Sequence, residues 1–298
     1  PGGTASYPSS ALMCCVPAKV AGVERVAVAT PPGADGRVDP TILAAAAIAG
    51  ADVVYATGGA QAIAALALGT ETVAPVDLIV GPGNRYVQEA KRQLNGRVGI
   101  DGIAGPSELM VIFDAGAELR WLALDLCAQG EHGDDGLLVA ASADLEALDE
   151  LERLVSELAA ERESVAEPAL ALVEAPSVEA AVELANSLAP EHLQLACERD
   201  LSAEVRTAGC VFVGRESGTA FGDYAAGSNH VLPTGGAGRF TGPLGPTVFR
   251  RRIATVNVTQ DAARELAPAV ATLARVEGFP VHAESVEARL EDPSRGDA

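Results

Sequence analysis

Short runs of aliphatic and β-branched residues alternate with alanine-rich stretches along most of the chain, and this alternation constrains the fold more than any other feature. The first such pair predicts a strand at Val23–Ala29 and a helix at Thr41–Ala49. Strands that alternate regularly with helices are typical of a parallel sheet covered by helices on both faces. The further predicted strands are Asp52–Ala56, Leu78–Val80, Leu109–Phe113, Leu137–Ala141, Leu170–Glu174, Leu193–Ala196 and Cys210–Val213, and the further predicted helices are Ala60–Leu68, Tyr86–Leu94, Leu119–Gln129, Leu145–Glu163, Val178–Leu188, Leu201–Ala208, Thr259–Leu266 and Pro268–Val276.

This pattern predicts an α/β protein with two doubly wound, Rossmann-like units and a small helical C-terminal tail. We place the first unit at residues 1–107 and the second, which carries most of the polar motifs, at residues 108–244. The second unit is expected to be incomplete, because its sheet needs strands that this chain does not contain. The tail, residues 245–298, is too short to bury a core alone, so it must pack on something else.

The charge composition limits the partners of this chain. Acidic residues outnumber basic ones by 41 to 21, which gives the 298 residues a formal net charge of −20. Only two of the basic residues, Lys19 and Lys91, are lysines. A surface this negative repels nucleic acids and anionic membranes, so neither is expected as a partner. The composition favours a salt-adapted, cytoplasmic protein. No uninterrupted apolar segment reaches membrane length, and because the opening Pro-Gly-Gly-Thr lacks a charged n-region we expect no signal peptide.

The five cysteines form no CxxC pair and are odd in number, and most lie in apolar runs. Buried free thiols in a reducing cytosol are the interpretation that this distribution favours. A catalytic thiol at Cys14 or Cys15 is the alternative.

Each of the four histidines lies near acidic or amide residues. Gln129 and His132 are three residues apart at the end of a predicted helix, so their side chains leave one face and can converge on one ion. Imidazole, carboxylate and amide oxygen together suit a divalent ion such as Zn²⁺. No HExxH or other compact metal motif is present, so spacing alone leaves a metal site and an ordinary polar surface equally open. The other three histidines are His192, His230 and His282.

Two glycine-containing segments follow predicted strands and begin predicted helices: Gly58-Gly59-Ala60-Gln61 and Gly81-Pro82-Gly83-Asn84. In a doubly wound sheet, a phosphate group or a dinucleotide binds at such turns, at the carboxyl ends of the strands. The chain has no GxGxxG motif and no Walker A motif. Glycines that merely allow tight turns explain either segment equally well.

Taken together, several of these segments resemble the signature segments of the histidinol dehydrogenase family. They occur in the same order as in the family and span essentially the whole chain, and every histidine falls within one of them. The segments are Pro1–Ser9, Gly105–Glu108, Gln129–His132, Ala189–Leu193, Gly222–Thr234 and Glu277–His282.

The resemblance implies a zinc-dependent enzyme that oxidises L-histidinol to L-histidine through bound L-histidinaldehyde and reduces two NAD⁺. It implies one zinc ion per site, and it assigns proton transfer to an adjacent Glu-His pair. The implied zinc ligands are Gln129, His132, Asp223 and His282, the implied catalytic pair is Glu191 and His192, and the implied NAD contacts are Gln61 and Asn84. The implied substrate contacts are Ser107, His230 and Glu277, together with Gln129, His132, His192, Asp223 and His282.

The chemistry of this reaction is consistent with these residue types. Zinc can bind the imidazole and the amine of the substrate, which fixes the carbinol carbon against the nicotinamide. His192 is expected to take the hydroxyl proton, a role that suits an imidazole of near-neutral pKa. Glu191 is expected to activate the water that hydrates the aldehyde.

The resemblance also implies a homodimer in which the tail crosses to the partner subunit and completes its zinc site; a tail packed on its own subunit is the alternative.

Family members carry a further segment before the Pro-Gly-Gly motif, which supplies half of the first domain and one more NAD contact, so we expect this chain to lack its N-terminal part. Two other functions stay open: a family paralogue that oxidises another alcohol, such as a sulfonated diol, and an inactive truncated remnant. The presence of His230 and Glu277 favours histidinol.

Overall fold

The structure of the protein, a computed structural model, describes residues 6–166 and 169–290. The first five residues of the Pro1–Ser9 motif lie outside the described residues. The chain divides into two compact units, which meet in the sequence between Arg250 and Arg251. Among the described residues, no helix has the length and apolar character needed to cross a membrane.

The N-terminal part of the first unit contains two pairs of parallel strands. β1 (Ala27–Thr30) pairs with β2 (Val53–Ala56), and β3 (Leu78–Ile79) pairs with β4 (Gly99–Ile100). The helices of this part are α1 (Pro8–Val20), α2 (Pro40–Ile48), α3 (Gly59–Leu68) and α4 (Arg85–Leu94). Helices α1 and α2 share an apolar cluster with one face of β1, whereas α3 and α4 share a second cluster with its other face. β1 is therefore covered by helices on both sides, as the alternating pattern predicts.

The rest of the first unit contains one five-stranded parallel sheet in the order β7–β6–β5–β8–β9. This order, with the first strand in the centre, is that of a doubly wound sheet. Buried apolar residues form one cluster on each face of the sheet. The strands are β5 (Glu108–Phe113), β6 (Leu137–Ser142), β7 (Ala169–Glu174), β8 (His192–Ala196) and β9 (Cys210–Val213), and the helices are α5 (Leu119–Gly130), α6 (Leu145–Ala160), α7 (Val178–Leu188) and α8 (Thr219–Tyr224).

The structure confirms the α/β class and the parallel sheets, and the expectation that the second sheet lacks strands stays a prediction. All five of its strands come from the continuous segment 108–213, and helices cover the apolar clusters on its two faces. Residues 6–107 form two short pairs, β1–β2 and β3–β4, which are not joined to each other by strand pairing within the described residues. The boundaries of the three predicted domains stay predictions.

The second unit is a pair of helices. The two helices predicted on either side of Pro268 form one helix, α9 (Gln260–Val276), followed by α10 (Pro280–Glu287), which the sequence pattern did not predict. A proline inside a helix costs about 3 kcal/mol. Two alanines of α9, Ala271 and Ala274, pack against Ala283 and Val286 of α10, and this packing favours a helix that continues through the proline.

The predicted helix Leu201–Ala208 is also wrong, because only the short 3₁₀ turn Ser202–Glu204 forms there. The side chain of Asn186, near the end of α7, holds the backbone in another shape: its Nδ2 donates to the carbonyl of Glu204 at 3.0 Å and its Oδ1 accepts from the N–H of Arg206 at 2.6 Å. Such side-chain bonds to the backbone compete with the bonds of a helix.

Candidate active site

The predicted catalytic pair lies where two neighbouring parallel strands begin. His192 is the first residue of β8 and pairs in register with Leu109, the second residue of β5. Ligands of doubly wound sheets usually bind beyond the carboxyl ends of the strands, so this site lies at the opposite edge from the usual one. Ser107 and Glu108 lie at the start of β5 and can therefore contact Glu191 and His192 directly.

The carboxylate of Glu191 is buried and held by two donors. Its Oε2 accepts a hydrogen bond from Ser107 Oγ at 2.6 Å and another from the N–H of Glu108 at 3.0 Å. The same Ser107 Oγ accepts from Gln129 Nε2 at 2.5 Å. Three predicted site residues, Ser107, Gln129 and Glu191, therefore form one hydrogen-bonded chain, although up to 84 positions separate them in the sequence.

The imidazole of His192 is 3% exposed and lies between two carboxylates. Its Nδ1 lies 3.1 Å from the carbonyl oxygen of Glu108, to which Nδ1–H can donate, and 3.5 Å from Glu191 Oε2. Its Nε2 lies 3.6 Å from Asp223 Oδ1 and has no hydrogen-bond partner among the described residues. Because Nδ1 is bound to a carbonyl, Nε2 is the nitrogen that can exchange a proton with a substrate.

The two carboxylates change the acidity of His192. Burial lowers the pKa of its imidazole, but the hydrogen bonds and negative charges of Asp223 and Glu191 outweigh burial and raise the pKa to about 10. The expected near-neutral pKa did not take Asp223 into account, because the sequence does not show that a second carboxylate faces the ring.

Asp223 reaches His192 because α8 packs tightly on β9. The ring of Phe212 lies beside the His192 ring, with 5.9 Å between the ring centroids. A Cβ atom at Gly222 would lie 2.6 Å from a carbon of the Phe212 ring, which is too close for any other residue. Glycine at this position therefore allows α8 to bring Asp223 to the catalytic pair.

His230, a predicted substrate contact, is engaged within the chain at both ring nitrogens. Nδ1 lies 2.9 Å from the carbonyl oxygen of Asp223, and Nε2 lies 3.1 Å from Ser10 Oγ in α1. The neighbouring Asn229 Nδ2 donates to the carbonyl of Met13 at 2.7 Å, again in α1. In this structure His230 fixes the segment after α8 to α1, and a direct contact with substrate requires the exchange of one of its bonds.

The predicted zinc ligands are only partly brought together. Gln129 is buried in the last turn of α5, and His132 is exposed in the turn that follows, where its N–H donates to the carbonyl of Gln129 at 3.2 Å. The side chain of Asp223 is 21% exposed beside His192. In residues 6–166 and 169–290, no group of three or more His, Cys, Asp or Glu side chains is close enough to hold a metal ion. His282, the fourth predicted ligand, belongs to the second unit.

Glu277 and His282 lie on the second unit, at the junction of its two helices. Glu277 follows the last residue of α9 and is exposed. His282 lies in the first turn of α10, exposed, with its ring centroid 5.3 Å from that of Phe279. Both side chains are therefore accessible on this unit for contacts outside it.

The two predicted NAD contacts lie at the N-terminal ends of α3 and α4. Asn84 is the N-cap of α4, and its Oδ1 accepts from the N–H groups of Tyr86 and Val87 at 3.1 Å each. Its Nδ2 then points away from the helix end. Gln61 is exposed in the first turn of α3, and its Oε1 lies close to Gly59, which has a positive φ of 71°.

One residue of the site, Glu108, was missing from the prediction. Its Oε2 accepts from the N–H of Glu191 at 3.2 Å and its Oε1 from the N–H of Gly235 at 3.1 Å. Burial raises the pKa of this carboxyl, although the two backbone donors partly counter the increase. An acidic residue directly before the buried run of β5, next to Ser107, was the signal that could have identified it.

The backbone before the catalytic pair is strained. Ala189 has φ 53° and ψ 60°, and it is the only non-glycine residue with positive φ in the described part of the chain. It precedes Pro190, and a following proline normally excludes this conformation. Backbone strain of this kind is concentrated at functional sites and persists where the surrounding structure holds it.

The thiol of Cys14, the alternative catalytic candidate, lies in an environment that favours its inert, protonated form. All five cysteines are free. Burial, reinforced by the negative charge of Asp101, raises the pKa of the Cys14 thiol to about 12. A thiol of this acidity is a poor nucleophile at neutral pH.

The fold and the site define an α/β enzyme with a buried acid–base pair at one sheet edge, and comparison with known proteins identifies its family. The sequence profile of the histidinol dehydrogenase family matches residues 1–290. The chain is 49% identical to the histidinol dehydrogenase of Haloarcula marismortui over 98% of its own length and 71% of that protein, and 50% identical to the histidinol dehydrogenase of Agrobacterium fabrum over 99% and 70%. The crystal structure of histidinol dehydrogenase from Elizabethkingia anophelis superposes with a TM-score of 0.92 at 36% identity, covering 97% of this chain and 69% of that one. The chain belongs to the histidinol dehydrogenase family, and the protein is a dehydrogenase.

Proposed function

We propose that this protein oxidises L-histidinol to L-histidine through bound L-histidinaldehyde, reduces two NAD⁺ and acts in the cytoplasm in the last steps of histidine biosynthesis. The observation that carries the proposal is the buried Glu191–His192 pair, whose outer nitrogen, His192 Nε2, has no hydrogen-bond partner among the described residues. A buried nitrogen of this kind is costly unless a ligand engages it. A substrate hydroxyl is a suitable ligand because it can donate its proton to that atom.

The residues of this chain divide the proton transfers of the two oxidations between them. His192 accepts the proton of the substrate hydroxyl at Nε2, while Nδ1 stays bound to the Glu108 carbonyl and keeps the ring oriented. The carboxylate of Glu191 is held at Oε2 by Ser107 and by the N–H of Glu108, so it can take a proton from the water that hydrates the aldehyde. The burial of both residues excludes bulk water from the bound aldehyde.

The donor chemistry fits one zinc ion at the edge of this site. We assign Gln129, His132 and Asp223 of one chain and His282 as its ligands. The amide nitrogen of Gln129 is bound to Ser107, so its amide oxygen is the end available to a metal ion. When bound, zinc supplies a positive charge that polarises the substrate and that offsets the effect of Asp223 on the pKa of His192.

The second unit supports a homodimer in which the tail completes the partner's site. Its core consists of small alanine side chains, whereas its large apolar side chains are exposed. A surface of this kind is usually covered by another part of a protein. The exposed residues are Leu266, Val270, Leu273, Val276, Phe279 and Val281.

The test of the proposed function is the stoichiometry of the reaction of the full-length protein with L-histidinol, NAD⁺ and zinc. Two NADH per L-histidine are expected, with no free aldehyde. Turnover of another alcohol but not of L-histidinol would assign the protein to a paralogue. Absence of turnover with every alcohol, from a folded protein that binds zinc, would identify an inactive member of the family.

A further inference from the structure

The helix α4 buries two polar side chains, Gln88 and Lys91, and no other residue of this helix is buried. Lys91 is one of only two lysines in a chain that otherwise uses arginine. Its Nζ donates to Asp101 Oδ1 at 2.5 Å and to the carbonyl of Gly81 at 2.9 Å, and the two charged side chains are 2% and 9% exposed. Two charges are buried only at a large cost in desolvation, so their presence here requires a role or an excellent set of partners.

The ion pair binds both polar backbone atoms of one glycine. Asp101 Oδ2 accepts from the N–H of Gly81 at 2.7 Å, while Lys91 binds the carbonyl of the same residue. Gly81 has a φ of 111°, and a Cβ there would lie 3.2 Å from Cys14 Sγ. The ion pair therefore holds both polar atoms of the residue that begins the Gly81–Asn84 turn.

Gln88 adds a second connection one helical turn earlier. Its Nε2 donates to the carbonyl of Gly83 at 3.3 Å, and its Oε1 accepts from the N–H of Ala104 at 2.9 Å. One end of this side chain thus binds the turn before α4, and the other binds the segment 102–107 that leads to β5. Residues three apart lie on the same face of a helix, so Gln88 and Lys91 act side by side.

The segment 102–107 continues this connection to the catalytic pair. The N–H of Gly105 donates to Oγ1 of the buried Thr234, and Ser107 Oγ donates to Glu191 Oε2 at 2.6 Å. An unbroken path of hydrogen bonds and short backbone segments joins the Gly81–Asn84 turn to Glu191.

We propose that Gln88, Lys91 and Asp101 form a buried polar link that fixes the Gly81–Asn84 turn relative to the segment carrying Ser107, so that a dinucleotide bound at the turn is aligned with the catalytic pair. The inference rests on the proposed NAD-dependent function. These three residues are positioning residues, since they touch the turn and the segment rather than the reacting atoms. Alignment within about 1 Å decides rate in such reactions, which gives a rigid link its value.

The test uses Gln88→Met in the full-length protein, because this change removes both hydrogen bonds of the side chain without leaving a buried charge. Because the turn is then held less firmly in its binding position, the Kd and the KM for NAD⁺ are expected to rise about tenfold, with KM for L-histidinol changed less. NAD⁺ binding is measured by calorimetry, independently of turnover. Hydrogen exchange should become faster at the N–H of Ala104 and in residues 79–86.

The matched comparison uses the two lysines. Lys91→Met leaves Asp101 without its partner, so it is combined with Asp101→Asn, which restores a neutral site. In this double variant NAD⁺ affinity should remain low even where stability recovers. Lys19→Met removes the other lysine, whose Nζ binds Asp52 at 2.8 Å. Because this ion pair does not involve the Gly81–Asn84 turn, NAD⁺ affinity should stay unchanged.

Two results would overturn the inference while the proposed function stands. One is a Gln88→Met protein with a lower melting temperature but wild-type Kd and KM for NAD⁺, which is the behaviour of a purely structural residue. The other is unchanged hydrogen exchange in both segments. If the wild-type protein binds no NAD⁺ in the calorimeter, the proposed function fails first and the alignment role fails with it.

Discussion

Removal of the Ser107 hydroxyl tests how the catalytic carboxylate is held. Ser107 Oγ donates to Glu191 Oε2 at 2.6 Å and accepts from Gln129 Nε2 at 2.5 Å, so Ser107→Ala breaks two bonds at once. A buried hydrogen bond to a charged group contributes about 1.5–3 kcal/mol, and the unpaired amide of Gln129 adds about 1 kcal/mol. Glu191 keeps its bond from the Glu108 N–H, so we expect the free energy of unfolding to fall by about 2–4 kcal/mol.

The same change should slow the second oxidation more than the first. A carboxylate that loses one of its two donors is less well placed to activate water, and a displacement of this size reduces rate by about tenfold to hundredfold. The assays are urea unfolding and single-turnover rates with L-histidinol and with L-histidinaldehyde. Ser217→Ala is the control: its Oγ binds the Val213 carbonyl at 2.6 Å on the surface, and its loss should change stability by less than about 0.5 kcal/mol.

The outcome also separates two roles of Ser107. If the hydroxyl acts only by contacting substrate, KM for L-histidinol rises while the free energy of unfolding and the aldehyde step stay at wild-type values. That result would refute the role of Ser107 in holding Glu191.

Three further predictions follow from the geometry. Gly222→Ala places a methyl group against the Phe212 ring and should cost about 1–3 kcal/mol of stability and lower kcat, because the ring contacts the catalytic histidine. Ala189→Gly relieves the positive φ and should raise the free energy of unfolding by up to about 1 kcal/mol, measured by urea denaturation. A mixture of inactive His132→Ala and His282→Ala chains should recover roughly a quarter of wild-type activity after random subunit exchange, because one heterodimer site then carries neither lesion.

Each of these predictions has a contrary result. Wild-type stability and kcat for Gly222→Ala would show that the contact with Phe212 is easily relaxed. A less stable Ala189→Gly protein would mean that the strain relieved is smaller than the stability lost with the buried methyl group. An inactive mixture of His132→Ala and His282→Ala chains, with subunit exchange confirmed, would place every residue of a site on one chain.

The parts of the fold that depend on local pattern could be predicted from the sequence. The alternation of strands and helices from β5 to β9 is predictable because each element buries its own periodic apolar residues. The prediction of a helix at Leu201–Ala208 was wrong because the side chain of Asn186, on α7, binds backbone groups that a helix would use. The prediction of two separate helices on either side of Pro268 was wrong for a similar reason. Packing of Ala271 and Ala274 against α10 favours one continuous helix despite the cost of the proline.

The site shows the same division between residue identity and arrangement. The motifs identify Glu191 and His192, but they do not show that Asp223 faces the second nitrogen of the ring, which is what raises its pKa. The buried link of Lys91 and Asp101 is equally invisible, because a lysine on a charged helix is ordinarily exposed. Such features depend on contacts between distant segments, and a single sequence carries no direct record of them.

The division of labour between Glu191 and His192 is the central claim, and single-turnover kinetics of the two half-reactions tests it most directly. His192→Ala should abolish both oxidations, because it removes the imidazole whose Nε2 accepts the hydroxyl proton. Glu191→Gln should oxidise L-histidinol at a rate close to wild type but slow the oxidation of supplied L-histidinaldehyde by about a hundredfold or more. Equal losses in both half-reactions for Glu191→Gln would contradict the account.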